Sequence, residues 1–327
     1  TDDEVVFPNR ESVESYMQKI YNQLLSQQEH WYLDQLLIAE AHSDNAYAGT
    51  TGAEVVPFED NSIDGSNSVI NRDWDRFMSD AALATKLIVN INKVVDGSLS
   101  EEEQLRYKAQ AQIFRAMIWF DMVRLWGNIP IITTIAADIT SDNIEEAYQA
   151  YFPSQNTIEE AYATIEADLL EAVQYAPDQT KDKTIFTKNV ARTLLAKVYA
   201  TMGEKSNRDY NAVIEYCQKV EDEGYSLVPN FDDLWTLNGK FSSESIFEMY
   251  FSDAAEQHNW AYWVLLSDKS GDVVVSWRRY CTPTQDIMAK FDKDNDVRYT
   301  SSFYWTSVPY DTYYPAKNYP LAYKIRQ

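Results

Sequence analysis

Asp292, Asp294 and Asp296 alternate along the chain like the first ligands of a calcium loop, in which oxygen donors surround a hard cation. The pattern then fails. Val297 stands where such a loop needs its turn glycine, and Phe303 where it needs a bidentate glutamate. The segment therefore reads as an acidic turn, and no metal site is expected. Three histidines, His30, His42 and His258, are scattered and lack the His-x-x-x-His spacing of a zinc centre. The 51 acidic residues offer many carboxylate pairs. Glycoside hydrolysis needs two carboxylates about 5–10 Å apart across the scissile bond, and linear spacing does not encode that distance. There is no Gly-x-Ser-x-Gly elbow, no phosphate-binding glycine loop and no dinucleotide glycine turn. The expectation is a protein that is not an enzyme and uses no cofactor. The other chemistry-bearing residues are aromatic: 9 Trp and 23 Tyr, with sixteen Trp, Tyr and Phe residues crowded between Phe247 and Tyr314.

Charge narrows the partners. A net charge of −23 over 327 residues argues against nucleic acid, which needs a basic face to displace counterions from phosphate. It argues equally against docking on anionic lipid through protein charge, and it favours neutral or cationic partners. No apolar run is long enough to span a bilayer as a helix. The two cysteines, Cys217 and Cys281, form neither a disulfide framework nor a zinc spacing. Cys217 lies in a helical pattern and is expected to be a small buried group.

The elements that must position these residues are mostly helices. Val13, Met17, Ile20 and Leu24 step by four, three and four, which gives one apolar face at the 3.6-residue period. Leu83, Leu87, Asn90 and Val94 repeat the stepping. Ser100 with Glu103 forms a capping box that opens the next helix, whose face carries Leu105, Ala109, Ile113, Ala116, Phe120 and Val123. From Ile113 to Trp126 this helix is apolar nearly all round, so it should be central, with Trp119 and Trp126 as packing residues. Gly127 and Pro130 stop it. Thr157 and Glu160 make a second capping box before Ile158, Ala161, Ile165, Leu169 and Ala172. Helices over about 188–202 and 209–223 end at Gly203 and Gly224. With Ala191, Leu195, Ala196, Tyr199, Ala212 and Tyr216 they have the small-and-large spacing of a tetratricopeptide hairpin. The fold class expected is mainly α: a tetratricopeptide-like helical hairpin scaffold, an irregular aromatic-rich loop region after Pro229, and a few short strands.

The segment from Phe114 through Leu125-Trp126-Gly127-Asn128-Ile129-Pro130 resembles the hallmark helix of the SusD/RagB family. Trp74, Asn90-Ile91-Asn92, Ala191–Gly203, Glu223-Gly224-Tyr225, Phe231, Leu234-Trp235, a strand-like Glu244–Glu248, Pro283, Phe291, Asp296 and Arg298 follow in the family's order and register. The resemblance implies one SusD-like domain over 1–327, with a helical scaffold at 1–235 and a loop-rich ligand side at 236–327. Members continue into further helices with an Arg-x-Ala-Glu-like segment. This sequence ends at Tyr323-Lys324-Ile325-Arg326-Gln327, so the resemblance implies a domain incomplete at its C-terminus and helix faces that a neighbouring chain would cover. It also implies an outer-membrane lipoprotein on the extracellular face, held by a lipid anchor ahead of Thr1. That protein would capture an oligosaccharide or similar nutrient and deliver it to a SusC-like TonB-dependent transporter.

Within that resemblance the aromatic residues acquire a use. Sugar rings present flat C–H faces that Trp and Tyr can stack against, while Asp, Asn and Arg satisfy the hydroxyls. The candidate contacts are Asp44, Asn45 and Tyr47, in a loop that in the family often faces ligand, and Trp74, just after the polar stretch Asn61–Arg72. Trp260, Trp263, Trp277, Tyr304 and Trp305 complete them from the aromatic-rich region. The rival reading is a tetratricopeptide-type scaffold that binds a protein or peptide in a concave groove.

Overall fold

A computed structural model describes residues 6–27, 29–35, 37–48, 52–178, 181–203, 209–251, 282–305 and 320–322. Helices dominate it, as the periodicity requires. The chain divides into two compact units, each drawn from separate stretches: Thr1–Leu24, Trp74–Ser226 and Ser243–Tyr250 in one, and Leu25–Asp73, Leu227–Ser242 and Phe251–Gln327 in the other.

The first unit holds α1 (Arg10–Ser26), most of α3 (Ser68–Asn90), α4 (Glu101–Trp126), α5 (Ile144–Tyr151), α6 (Ile158–Tyr175), α7 (Lys188–Thr201) and α8 (Tyr210–Glu221). α1 buries the four residues its spacing marks, Val13, Met17, Ile20 and Leu24. Its tyrosines tie it down. Tyr16 Oη donates to the Leu83 carbonyl (3.0 Å) and Tyr21 Oη donates to Gln110 (2.8 Å) while accepting from the Phe186 amide (2.8 Å). α4 is the central helix, buried continuously from Ala109 to Ala116 and again at Ile118, Trp119, Phe120, Met122 and Val123. Both capping boxes form as read, at Ser100–Glu103 and Thr157–Glu160. Gly127 ends α4 at φ +73°, a conformation that side chains resist.

α6 packs on α4 and α7, and α7 packs on α8, which gives the hairpin stack. Ala191, Leu195 and Ala196 are buried in α7, and Tyr199 stacks on Tyr216 of α8 at 6.1 Å with ring planes 7° apart. The tetratricopeptide-like spacing thus places small residues at the close approach and an aromatic pair beside it.

A buried polar contact joins α3, α4 and α6. Arg115 is 4% exposed and Asp168 5%. The guanidinium donates twice to the carboxylate, Nε to Oδ2 and Nη2 to Oδ1, both at 2.8 Å. Its Nη1 donates to Thr85 Oγ1 (3.1 Å), which in turn donates to the Ile132 carbonyl (3.1 Å). The guanidinium also lies over the Trp119 ring at 4.8 Å. Burial pushes the Asp168 carboxyl above its ordinary range, against the opposing pull of Arg115.

Some expectations need correction. Cys217 is exposed, because α8 buries only Val220. Ile158, the first residue of α6, is exposed as well, since the helix meets the core only from Ala161 onward. α3 ends at Asn90 and turns into a 3₁₀ segment at Ile91–Lys93, so Val94 lies outside it. Glu244–Glu248 is in no sheet. The Glu248 amide donates to the Lys183 carbonyl (2.9 Å), and Lys183 Nζ donates to the Ser245 carbonyl (2.7 Å), so a single loop occupies the place of a partner strand.

Asp168→Asn is expected to leave a guanidinium buried without its countercharge and to lower stability by about 3–5 kcal/mol, read from urea unfolding. Arg115→Met with Asp168→Leu should recover most of that loss. Equal stability of the single variant and the parent would show that the pair is not the keystone of the bundle.

Candidate functional site

The second unit carries the loops. Its chain begins with two π-helical turns, Glu29–Asp34 and Leu37–Ala41. Such winding is rare and concentrates near functional sites. A buried polar cluster fixes the first turn to the start of α3. Arg72 forks onto Asp34, Nε to Oδ2 at 2.8 Å and Nη2 to Oδ1 at 2.6 Å. His30 Nδ1 lies 2.8 Å from Asp73 Oδ1, and the Asp73 carboxyl is near enough to Asp34 for its charge to act there. His30, Asp34 and Asp73 are all buried. Burial drives the Asp34 carboxyl up to about 7, with the neighbouring Asp73 charge adding to the shift and Arg72 opposing it.

The loop that follows brings Asp44 and Asn45 to the surface, both exposed, with Tyr47 half-buried behind them. Their backbone is clasped from far along the chain. Thr284 Oγ1 donates to the Asp44 carbonyl (3.0 Å) and Thr284 N to the Asn45 carbonyl (2.9 Å). Strand β1 (Ala46–Tyr47) pairs antiparallel with β2 (Thr282–Pro283), in the register Ala46↔Pro283 and Tyr47↔Thr282. The Ala48 amide is taken by Glu59 Oε2 at 2.7 Å. The loop's amides and carbonyls are thus engaged from several sides, and the Asp44 and Asn45 side chains remain on the outside.

Two clefts lie in the same unit. One, of about 350 Å³, is lined by Glu54, Pro57, Ser62, Asp64, Ser66 and Asn67, among others. Asp64 accepts from Ser66 N (2.7 Å) and Oγ (2.6 Å), which hold its pKa below the usual range. Asn67 caps α3 by accepting from the Val69 amide (2.9 Å), and its Nδ2 donates to the Glu54 carbonyl (3.0 Å). The other cleft, of about 450 Å³, is lined by Phe231, Asp292, Asn295, Asp296, Val297 and Arg298. Here an aromatic residue and a polar turn line the same space. Asp292 accepts from the amides of Asp294 (3.1 Å) and Asn295 (3.2 Å) and from Asn295 Nδ2 (2.8 Å). Arg298 grips Asp296 through Nε (2.8 Å) and Nη2. These bonds lower the pKa of both carboxyls, so neither is held protonated as a glycosidic acid would be. Behind Phe231, Trp235 packs edge-on at 5.8 Å. Gly239 closes that turn so tightly that a Cβ there would meet the Asp233 carbonyl oxygen at 2.3 Å.

The other sequence candidates fall as follows. Trp74 is half-buried on α3 in the first unit, edge-on to Trp126 at 5.3 Å; Trp126 itself is half-buried. Tyr304 and Trp305 lie in β3 (Phe303–Trp305), which pairs antiparallel with β4 (Pro320–Ala322). Trp260, Trp263 and Trp277 lie outside the described residues. The sequence suggests the Asp292–Asp296 stretch first as a calcium loop, which it fails, and otherwise marks Asp296, Arg298 and Phe231 only by their place in the family's register. Its arginine at Arg298 and the distant Phe231 are the signals that mark it as a cleft wall. Among the described residues no cluster of His, Cys, Asp and Glu suits a metal ion.

The described residues thus form a tetratricopeptide-like helical scaffold that carries irregular, cleft-bearing loops. The sequence profile of the SusD-like family, described as "Starch-binding associating with outer membrane", matches residues 2–200. The chain belongs to that family. A SusD-like protein of Bacteroides ovatus is 25% identical over 299 residues, 88% of this chain and 52% of that one. Among solved structures, surface glycan-binding protein A from Bacteroides uniformis matches with TM-score 0.77 and 17% identity over 97% of this chain and 69% of its own. Its counterpart from Bacteroides thetaiotaomicron, solved in complex with laminarihexaose, matches with TM-score 0.72 and 16% identity over 90% and 63%. The chain spans about half the length of the B. ovatus relative.

Asp34 gives a pH signature. Its folded pKa of about 7 stands above the unfolded value of 3.8, so the folded state binds the extra proton between those values. The stabilising contribution is complete below about pH 4 and is lost as pH rises through about 7. Carboxyl ¹³C shifts should place the Asp34 midpoint near 7, and Asp34→Asn should flatten the pH dependence of stability across that window. A midpoint near 4 would contradict the assignment.

Proposed function

We propose that this chain captures a glycan at the bacterial cell surface without chemically altering it, and hands it to a SusC-like TonB-dependent transporter. In this reading a lipid anchor holds the protein on the extracellular face of the outer membrane. Family membership supports it, as do structural relatives that are themselves glycan-binding proteins, one holding laminarihexaose. The observation that carries it is the open cleft that Phe231 lines together with Asn295, Asp292, Asp296 and Arg298. A pyranose needs both: an apolar platform for its C–H face and planar polar groups for its hydroxyls. Asp44 and Asn45, exposed on a loop braced by Thr284, offer further hydroxyl partners in the same unit.

Sugar capture without chemistry fits the electrostatics of this cleft, whose shifted carboxyls are both lowered by hydrogen bonds. A binding protein needs ionised acceptors that stay in place, whereas an inverting or retaining hydrolase needs one proton-bearing acid.

Affinity gels containing laminarin, starch or mannan test the reading. At least one polysaccharide should retard the chain, and chromatography should show no shortened product after prolonged incubation. Phe231→Ala should weaken retardation about tenfold, the worth of one aromatic platform at about 1.4 kcal/mol per decade. A chain that migrates unretarded in every gel and instead binds peptides would favour the scaffold alternative.

A further inference from the structure

Two carboxylates, one guanidinium and one imidazole meet where the first π-helical turn, Glu29–Asp34, lies against the start of α3. Asp34 and Asp73 are fully buried and His30 nearly so. Arg72 spends both prongs of its fork on Asp34, and its Nη1 lies 3.9 Å from the exposed Glu29. Asp73 faces His30 Nδ1 at 2.8 Å. Among the described residues, the charges that act on Asp34 are Arg72 and Asp73 from α3, with His30 of its own turn beside Asp73 and Glu29 on the outer side of Arg72.

The charges of these buried groups do not balance by themselves. With Asp34 and Asp73 ionised and His30 neutral, two negative charges meet one positive charge. A net charge held out of water is costly, and it draws a proton onto whichever group binds it best. One added proton cancels the excess, either as an imidazolium on His30 paired with Asp73 or as a hydroxyl on one of the carboxyls. That proton belongs to the coupled set and not to a single residue.

The cluster also holds the way into the candidate loop. The second π-helical turn, Leu37–Ala41, lies against the first turn, against α2 (Val56–Glu59) and against β1. Asp44 and Asn45 sit between that second turn and β1. Winding of this kind is rare and persists where its surroundings hold it. We propose that His30, Asp34, Arg72 and Asp73 form a proton-operated latch. While the cluster holds one proton, the π-helical turns are fastened to α3. When rising pH removes it, the excess negative charge loosens the turns, and the segment that carries Asp44 and Asn45 slackens. Sugar capture is then tighter on the acid side of neutrality and release easier on the alkaline side. That consequence rests on the function proposed above, whereas the loosening does not.

Hydrogen exchange of the full chain, read by mass spectrometry and corrected for the intrinsic pH dependence of amide exchange, tests the latch. Protection of residues 29–48 should fall at least about tenfold between about pH 6 and about pH 8, while the buried stretch of α4 keeps its protection. Asp73→Asn removes the unbalanced charge, so its protection should stay level across that range. Asp34→Asn removes it in the same way and carries the comparison if Asp73→Asn does not fold. Polysaccharide retardation of the parent should weaken over the same range, and that of the folded variant should not. Level protection of residues 29–48 in the parent overturns the inference, as does a folded variant that loses protection just as the parent does. A parent that shows the exchange transition but is retarded by no polysaccharide at either pH leaves the latch standing and overturns the proposed function.

Discussion

The helical unit depends on one desolvated ion pair. Arg115 and Asp168 face each other across α4 and α6 with two parallel hydrogen bonds, and Thr85 brings α3 into the same contact. Taking two charges out of water is costly, and only good geometry with every donor and acceptor engaged offsets it. Here the carboxylate also accepts from Gln112, and the guanidinium spans both Thr85 and the Trp119 ring. A slide of one helix by a single residue would strand a charge in the core. Apolar faces tolerate small slips, whereas this fork tolerates none, so it sets the register of the helices around it. The Tyr199–Tyr216 stack continues the same stiffness into the outer hairpin.

A different device holds the loops. Buried apolar residues such as Leu37, Val55, Phe58 and Val69 lie in the same unit, and backbone groups met by distant polar partners add to the order. Thr284 supplies both its hydroxyl and its amide to the Asp44-Asn45 turn, and two residues of β-pairing finish the clasp. The Arg72–Asp34 fork does the corresponding work below the π-helical turns. Rigid backbone with outward side chains is what a binding loop requires, since each immobilised side chain then loses less entropy when ligand arrives.

Much of the scaffold was legible from spacing alone. The four buried residues of α1, both capping boxes, the all-round apolar stretch of α4 and its glycine stop follow from helical period and end chemistry. The errors share one cause. Cys217 and Ile158 belong to helical patterns, but a pattern shows only that a face exists, and whether another element covers it is a tertiary fact. Arg115 appeared in the hallmark segment simply as one of its letters; nothing local announces that its partner lies 53 positions away. The site was less legible still. The Asp44 loop could be named from resemblance, but its clasp at Thr284 and the pairing of Phe231 with the Asp292–Arg298 turn join segments that no periodicity connects.

The clasp between Asp44 and Thr284 spans 240 positions. The unit it closes is assembled from three separated stretches, with residues 74–226 of the other unit intervening. Its earliest stretch therefore emerges from the ribosome long before the threonine that completes it, and contacts so distant in sequence form slowly. The helical unit closes over a shorter span, Phe186 reaching back 165 positions to Tyr21, and most of its helices pair with neighbours. Maturation of this protein is thus a two-speed process, in which the loop-bearing part is the last to settle and the most exposed to proteases or chaperones in the interval.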